Sequence, residues 1–390
     1  MSTDDALEAA LAAAGLAGAT PEQTAGGGAI VVPGPVDQQD AAAAEAAAAR
    51  PRWPDGAATG VGSLPGTDPR EAAAMVVGEL PLLPHLPELP ARGVGADMIG
   101  RTAGLLVDIA VDFVPSGYRV TARPGGVHRR AVDLLRTDLD ALDEACEVAR
   151  PGWVKVQAAG PWTLVAGVEL HAGHRVLTDR GAVREFTASL QEGLRAHVTE
   201  VATRTGAHVL VQLDEPTLPA VLAGTLPTAS GYGTVRSVGR NEAQDALRDL
   251  VTGLGVPVVV HCCADRPPLR LLADIGAAGI GIDATRPVFS GDTAQPAALD
   301  ALGEIWDAGT PLLLGLVPTL DPGRPVTSRD LARPAFDLAD RLGFDRSRLA
   351  ALAVPTPTCG LAGATPSWAR QALALSRELG EAFLDPPENS

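Results

Sequence analysis

The stretch that decides the fold is PVVVHCC, residues 257–263, a run of β-branched residues that ends in one histidine and two cysteines. The chain has only 7 His and 4 Cys among 390 residues, so three of them side by side are unusual. An unbroken apolar run is typical of a parallel strand that is buried on both faces. Alternate residues of a strand share a face, so we expect His261 and Cys263 to point one way and Cys262 the other.

Seven other short apolar segments predict strands of the same kind, and helical segments such as 182–206 and 241–255 lie between them. Eight alternating strand and helix units predict an α/β fold, specifically a (β/α)8 TIM barrel. A doubly wound sheet is the alternative. The other predicted strands are 61–65, 83–90, 153–160, 208–216, 279–284, 311–318 and 349–360, and we assign 117–122 to an inserted hairpin.

Residues 1–56 differ from the rest of the chain, because Ala-rich pieces there are separated by Gly- and Pro-rich ones. This composition predicts a mobile, low-complexity extension, followed by a barrel domain over 57–390. The first helix of the domain has an orderly start. Asp68 is its expected N-cap, Pro69 follows at the first helical position and Glu71 at the third.

Composition and charge exclude several classes of partner. The net charge of −16, from 47 acidic and 31 basic residues, repels nucleic acid and anionic membrane surfaces. The sequence has no signal-peptide pattern and no apolar run long enough to span a bilayer. Four cysteines, two of them adjacent, make a poor disulfide framework, which suits a reducing compartment. We therefore expect a cytoplasmic enzyme acting on a small molecule.

The polar residues at the strand ends favour the barrel over the doubly wound sheet. In a barrel the carboxyl ends of all strands meet on one face, where active sites lie. His261 and Cys263 could bind zinc there together with Asp283 and Cys359. Alternatively, the cysteines are small core residues and the histidine bonds a backbone carbonyl. The residues that lie at or just past predicted strand ends are Ser63, Asp214, His261, Cys263, Asp283 and Cys359.

Five segments together resemble a known family. VGSLP (61–65), QLDEPTL (212–218), VVVHCC (258–263), GIGID (279–283) and PTCGL (357–361) are similar, in the same order and with comparable spacing, to the catalytic barrel of cobalamin-independent methionine synthase. The resemblance covers residues 58 to 380. It implies a zinc-dependent methyltransferase that methylates the thiol of homocysteine. It also implies that zinc is bound by His261, Cys263, Asp283 and Cys359, where Asp283 replaces the family's usual glutamate.

The resemblance also implies which residues hold the substrate. Gly62, Ser63 and Asp214 would grip the amino-acid end of homocysteine, and Asp214 is the residue assigned a catalytic role. Asp97, in GADMIGR (95–101), matches a further stretch of the family. A glutamate that precedes this stretch in the family falls near Arg92 here.

The differences from the family concern the methyl donor. The family's D-I-H-S stretch is replaced by LVPT (316–319), a tryptophan by Gly167 and an acidic residue by Ala220. The family's separate N-terminal barrel is not expected in this chain. We therefore expect a donor other than polyglutamyl methylfolate, either a methylated corrinoid protein or a small methyl compound. The alternatives from the residues are a zinc hydrolase, a metal-free barrel resembling uroporphyrinogen decarboxylase, and a non-enzymatic carrier.

Overall fold

The protein is described by a computed structural model that covers residues 52–228, 231–289 and 291–387. Most of the predicted extension over 1–56 lies outside these residues. Within the described ranges, no helix is long and apolar enough to cross a membrane.

Strands and helices alternate along the chain, as the sequence predicts. The strands are β1 (Ala110–Val114), β2 (Gly117–Thr121), β3 (Trp153–Ala159), β4 (Val168–Glu169), β5 (His208–Asp214), β6 (Val258–His261), β7 (Gly279–Asp283), β8 (Leu312–Val317) and β9 (Ala353–Pro357). The helices are α1 (Pro69–Glu79), α2 (Met98–Ala103), α3 (Gly126–Ala149), α4 (Pro161–Gly167), α5 (Arg180–Thr205), α6 (Leu218–Ala223), α7 (Arg240–Gly253), α8 (Leu269–Ala273), α9 (Pro296–Asp307), α10 (Ser328–Leu342), α11 (Leu349–Leu352) and α12 (Pro366–Leu384). Short 3-10 turns cover Pro90–Arg92, Val176–Thr178, Gly291–Thr293 and Arg346–Arg348.

Six strands form one parallel sheet in the order β3, β5, β6, β7, β8, β9. The predicted second strand, 83–90, adjoins β3 through hydrogen bonds in which Lys155 N donates to Pro84 O and Leu86 N to Lys155 O, both at 2.8 Å. It is paired only at isolated bridges. Prolines 84, 87 and 90 explain this, because proline has no N–H to give to a sheet.

The first predicted strand closes the ring on the other side. Leu64 N donates to Glu88 O at 2.9 Å and Glu88 N to Gly62 O at 3.1 Å, while Thr59 N donates to Pro355 O of β9 at 3.2 Å. The chain around 57–64 therefore lies between β9 and the second strand segment. The six-stranded sheet and these two segments together confirm the predicted TIM-barrel architecture.

The barrel interior has an apolar floor near the amino ends of the strands. Trp53 belongs to it, only 4% exposed, with its ring edge-on to Trp153 at 6.4 Å between centroids. Trp53 lies within the segment 1–56 that the sequence assigns to the extension. The floor consists of Trp53, Ala57, Leu83, Trp153, Leu210, Val259, Leu313 and Val354.

A buried polar layer lies directly above the floor. Each member stands two residues after a floor residue on the same strand, and therefore points into the barrel as well. On β5 the next inward position after this layer is Asp214, and on β6 His261 stands two residues after the floor residue Val259. The buried polar layer consists of Thr59, His85, Lys155, Gln212 and Thr356.

Two local predictions are confirmed. Asp68 caps α1 by accepting hydrogen bonds from Arg70 N at 2.9 Å and Glu71 N at 3.2 Å. Residues 117–122 belong to an inserted antiparallel hairpin in which β1 pairs with β2.

Candidate metal and substrate site

Three predicted site residues end three consecutive strands of the sheet. Asp214 ends β5, His261 ends β6 and Asp283 ends β7. Asp214 is paired with His261 in the ladder, and His261 with Gly281 of β7. All three site residues are at least 90% buried, since their exposed fractions are 4%, 7% and 7%. Parallel pairing thus brings together residues that lie far apart in the sequence.

The His261 ring is held by Asp214. Its Nδ1 lies 2.8 Å from Asp214 Oδ1, and the same oxygen accepts a hydrogen bond from Gln212 Nε2 at 2.8 Å. An ionised carboxylate oxygen can only accept, so His261 Nδ1 is the donor in this contact and Nε2 is the ring nitrogen left for another partner. No other described side chain bonds to the ring. Gly281 makes room for it, because a Cβ there would lie 3.1 Å from His261 Cδ2.

Cys263 and Cys359 meet although they come from different strands. Their Sγ atoms lie 3.5 Å apart, with Cys263 half-buried and Cys359 exposed. Cys262 is fully buried in the core between the sheet and the helices, on the opposite face, as strand alternation predicts. The structure therefore separates the accessible thiols of Cys263 and Cys359 from the buried thiol of Cys262.

The hydrogen bond between the two thiols shifts their pKa values in opposite directions. The hydrogen bond from Cys263 lowers the pKa of Cys359 to about 6, although burial opposes the shift, and the nearby His261 lowers it further. The same hydrogen bond raises the pKa of Cys263 above its usual value. Burial raises the pKa of Cys262 to about 12. Within the pair, the exposed Cys359 is therefore the thiol that ionises more readily, and the thiolate is the form that attacks electrophiles or binds metal.

Asp283 has other partners in this structure. Its Oδ1 accepts hydrogen bonds from Thr285 N at 3.0 Å and Thr285 Oγ1 at 2.6 Å, and its Oδ2 pairs with Arg286 Nε at 2.8 Å. Arg286 also pairs with Asp265 at 2.9 Å. Among the described residues, no three His, Cys, Asp or Glu side chains are already grouped as a metal cluster. Of the four predicted ligands, Cys263 and Cys359 contact each other, whereas His261 is paired with Asp214 and Asp283 with Thr285 and Arg286.

The first strand segment lies against the turn that carries Cys359. Ser63 O accepts a hydrogen bond from Leu361 N at 2.8 Å. A Cβ at Gly360 would lie 2.0 Å from Ser63 Oγ, so a side chain there would displace the Ser63 hydroxyl from its position. Gly62 packs closely on Gln157, whose Cγ would be 3.0 Å from an added Cβ. Ser63 is thus adjacent to the turn that carries Cys359, and Gly62 lies beside Gln157 of β3.

Asp97 has a structural position. It caps α2 by accepting from Gly100 N at 3.1 Å, and it hydrogen-bonds the hydroxyl of Tyr118 in the hairpin. That hydroxyl also accepts from Gly95 N at 2.8 Å. None of the described contacts of Asp97 is with another predicted site residue, so its carboxylate ties α2 to the hairpin.

Glu88, in the second strand segment, is a buried acid that the sequence interpretation did not single out. It is 7% exposed, and Arg101 Nε lies 3.6 Å from its Oε1. Burial raises its pKa to about 7, against the opposing effect of Arg101. Arg92, near which the family's glutamate falls, lies in the 3-10 turn and binds Asp138 through two hydrogen bonds of 2.7 and 2.8 Å. In the sequence, Glu88 stands within LPELP (86–90), but the prolines on either side hid the end of the strand.

Glu215, next to Asp214, has a purely structural contact set. It accepts hydrogen bonds from Trp162 N at 2.9 Å, Thr163 N at 2.9 Å and Thr163 Oγ1 at 2.8 Å. These are the first backbone donors of α4, so Glu215 caps that helix from the neighbouring strand. A Cβ at Gly160 would lie 2.4 Å from Glu215 Oε1, which explains the glycine before this helix.

The positions that differ from the family are filled by other side chains. A Cβ at Gly167 would lie 2.8 Å from Ile99 Cδ1, so Ile99 occupies the space where a larger residue would stand. At the end of β8, Leu316 and Val317 are buried, and Pro318 O accepts a hydrogen bond from Trp368 Nε1 at 3.0 Å. This segment therefore offers no imidazole to the site.

Comparisons with known proteins agree with this architecture. Residues 56–382 match the family model described as the catalytic domain of cobalamin-independent synthase. A solved B12-independent methionine synthase from Shewanella sp. W3-18-1, in complex with selenomethionine, is 13% identical, with a TM-score of 0.50 over 84% of this chain and 97% of that one. A methyltransferase from Methanosarcina mazei is 16% identical, with a TM-score of 0.49 over 88% and 97%. No curated protein matches the sequence significantly. The chain belongs to the cobalamin-independent methionine synthase family, as a methyltransferase built on that family's catalytic domain.

Proposed function

We propose that this protein is a zinc-dependent methyltransferase that methylates a thiol, homocysteine, to give methionine. The observation that carries the proposal is the contact of Cys263 and Cys359 at 3.5 Å, beside an imidazole whose Nδ1 is held by Asp214. Two thiols and an oriented histidine at converging strand ends suit zinc better than a purely structural role.

The donor set fits zinc in its chemistry and its spacing. Two thiolates bound to one tetrahedral zinc at about 2.3 Å each would have sulfurs about 3.8 Å apart, close to the 3.5 Å observed. Metal-binding histidines usually donate their other ring N–H to a carboxylate, and Asp214 supplies that partner here. His261, Cys263 and Cys359 are therefore the proposed principal ligands.

Asp283 is the proposed fourth ligand. Its Oδ2 has Arg286 as its partner and keeps acceptor capacity, since a carboxylate offers about four lone-pair sites. Thr285 and Arg286 fix the orientation of the carboxylate. The positive guanidinium also weakens it as a ligand, so we expect Asp283 to contribute less than either thiolate.

His261, Cys263, Asp283 and Cys359 would hold the zinc, and the bound metal would favour the thiolate form of the substrate thiol, whose free pKa is about 8.5. The chain's own residues hold the rest of the substrate. Asp214 Oδ1 is used by His261 and Gln212, which leaves Oδ2 for the α-ammonium group. Ser63 can donate its hydroxyl to the α-carboxylate. Gly62 keeps the backbone of the first strand close to the site.

The proposed methyl donor is not a polyglutamyl folate. The contacts beside Gly167 support this, because Ile99 fills the space next to it. The buried Leu316 and Val317 provide no proton donor where the family has a histidine. Ala220 lies on α6 and provides no acidic group. The donor side therefore differs chemically from the family pattern, while the thiol side is retained.

Metal analysis and product detection test this function together. We expect one zinc per chain in the purified protein, and methionine from homocysteine with at least one donor in a panel of methyl-corrinoid, methyl-sulfonium and methyl-thiol compounds. Cys359→Ser and His261→Ala should lose zinc, whereas Cys262→Ala, the matched control, should keep it. Protein without zinc, or equal zinc loss in the Cys262 variant, would contradict the proposal.

A further inference from the structure

Lys155 is a fully buried cation in the middle of the barrel. It is neither a proposed zinc ligand nor a proposed substrate-binding residue. Its exposed fraction is 0%. Its Nζ donates to Gln212 Oε1 at 2.7 Å, to Val61 O at 3.0 Å and to Gln157 Oε1 at 3.4 Å. An ammonium group has three protons to donate, and each has an acceptor here. Burying a charge is costly, so a lysine placed inside a barrel calls for a physical reason.

The lysine determines which way the Gln212 amide points. An ammonium group can only donate, so the amide oxygen must face Lys155 and the amide nitrogen must face away from it. That nitrogen donates to Asp214 Oδ1 at 2.8 Å and to Val61 O at 2.8 Å. If the amide were reversed, its oxygen would face the Asp214 carboxylate, and the two acceptors would repel each other.

The direction of this hydrogen-bond chain reaches His261. Asp214 Oδ1 already accepts a hydrogen bond from Gln212, which favours its ionised form. It therefore also accepts a hydrogen bond from His261 Nδ1 at 2.8 Å. The ring is then fixed as the tautomer that carries hydrogen on Nδ1 and a free lone pair on Nε2. That lone pair is what a metal ion requires.

The contacts of the buried polar layer indicate that Lys155 orients neighbouring amides and does not only fill space. Lys155 orients a second amide in the same way, since Gln157 turns its oxygen to the lysine and its nitrogen to Leu86 O. Burial lowers the pKa of Lys155 to about 8, while the charges of Asp214 and Glu88 oppose the shift. Two polar neighbours in the layer, Thr59 Oγ1 and both ring nitrogens of His85, have no hydrogen-bond partner among the described residues. The ordered chain is therefore specific to Lys155 and its two glutamines.

We propose that Lys155 is a positioning residue that acts through Gln212 and Asp214 to hold His261 in its metal-binding tautomer. The functional consequence rests on the zinc site proposed above. The tautomer itself belongs to the protein without metal and can be measured in that state.

The test is ¹⁵N NMR of the ring nitrogens of His261 in metal-free protein labelled at histidine. The spectra of wild-type protein, Lys155→Met, Gln212→Met and the double variant are compared. Thr59→Val is the matched control, because it changes a buried side chain of the same layer whose hydroxyl has no partner. Wild type and control should show a protonated Nδ1 and an unprotonated Nε2. Each single variant should show a mixture of tautomers, and the double variant should resemble Gln212→Met, because the lysine acts through the glutamine.

A second readout is zinc affinity, measured by competition with a chromophoric chelator. Loss of a residue that orients a metal ligand typically weakens binding about 10- to 100-fold, and we expect that loss in Lys155→Met and Gln212→Met but not in Thr59→Val. If Lys155→Met does not fold, Gln212→Met alone tests the chain. An unchanged tautomer in the folded variants overturns the proposal. If wild type binds no zinc, the proposed function fails, while the NMR comparison still decides whether Lys155 sets the tautomer.

Discussion

The Sγ atoms of Cys263 and Cys359 lie 3.5 Å apart although the residues are separated by 96 positions in the sequence. A disulfide needs a separation of about 2.05 Å, so a relative shift of about 1.5 Å would bring the two sulfurs within bonding distance. Cys359 is exposed and has a lowered pKa, which makes it the sulfur that an oxidant reaches first.

Oxidation of the metal-free protein should therefore link these two cysteines. The Cys359 thiolate attacks hydrogen peroxide and becomes a sulfenic acid, and the Cys263 thiol then displaces water to form the disulfide. Peroxide is reduced to water as two thiols are oxidised. Peptide mass spectrometry without reduction should detect a bond between Cys263 and Cys359 at low peroxide. Buried Cys146 and Cys262 serve as internal controls and should remain thiols.

Zinc should protect the pair, since metal-bound thiolates are shared with the ion. Oxidation at the same rate with and without zinc would mean that the metal is not bound by these sulfurs. A disulfide that instead involves Cys262 would contradict the strand alternation described here.

Asp283→Asn should show that Asp283 contributes less to zinc affinity than Cys359 does. The amide keeps the size of the side chain but loses its charge, so zinc affinity should fall by about tenfold, at the low end for groups around a metal. Cys359→Ser should cause a much larger loss. Competition with a chelator measures both variants. Unchanged affinity in Asp283→Asn would leave Asp283 as a structural partner of Arg286 and Thr285 only.

His197 should make the free energy of unfolding depend on pH. It is 4% exposed in α5, and burial, together with the charge of Arg101, lowers its pKa to about 3. Between pH 6.5 and 3 the unfolded chain binds a proton that the folded chain does not, so stability falls as pH falls. At pH 4 the free energy of unfolding lost because of His197 is about 3 kcal/mol. Comparing wild type with a variant at this position separates the loss from the pH effects of other groups.

The variant for this comparison is His197→Phe, which keeps a ring in the same place. Urea unfolding at pH 7 and pH 4 should show a smaller pH-dependent loss in His197→Phe than in wild type. Equal losses in both proteins would show that His197 is hydrated in the folded state.

Trp53 should mark where the folded domain begins. Deleting residues 1–50 retains Trp53 and its contact with Trp153, so the thermal midpoint should stay near that of the full chain. Trp53→Ala should lower the free energy of unfolding by about 3 to 5 kcal/mol, the usual range for a buried tryptophan. Tyr232→Ala is the control, because Tyr232 is 99% exposed. A large loss on deleting 1–50 alone would give the preceding residues a packing role.

Strand periodicity predicted most of the fold, because apolar runs such as 257–263 depend only on burial. Alternation also separated Cys262 from Cys263 correctly. The second strand was harder to define, since its prolines remove sheet hydrogen bonds and hide Glu88. Lys155 could not be interpreted from periodicity, because its role depends on a glutamine from another strand. The pairing of Asp283 with Arg286 is likewise a contact that a residue pattern cannot reveal.

The most direct test of the central claim is calorimetric titration of the zinc-loaded protein with homocysteine, in buffers of different ionisation enthalpy. Binding should release the thiol proton, and affinity should rise with pH below the free thiol pKa of about 8.5. Asp214→Asn should weaken binding by about 1.5 to 3 kcal/mol, the range for hydrogen bonds to charged groups. A thiol without amino and carboxylate groups should bind poorly to both proteins. Homocysteine that binds neither protein, or binds both equally and without proton release, would contradict the account.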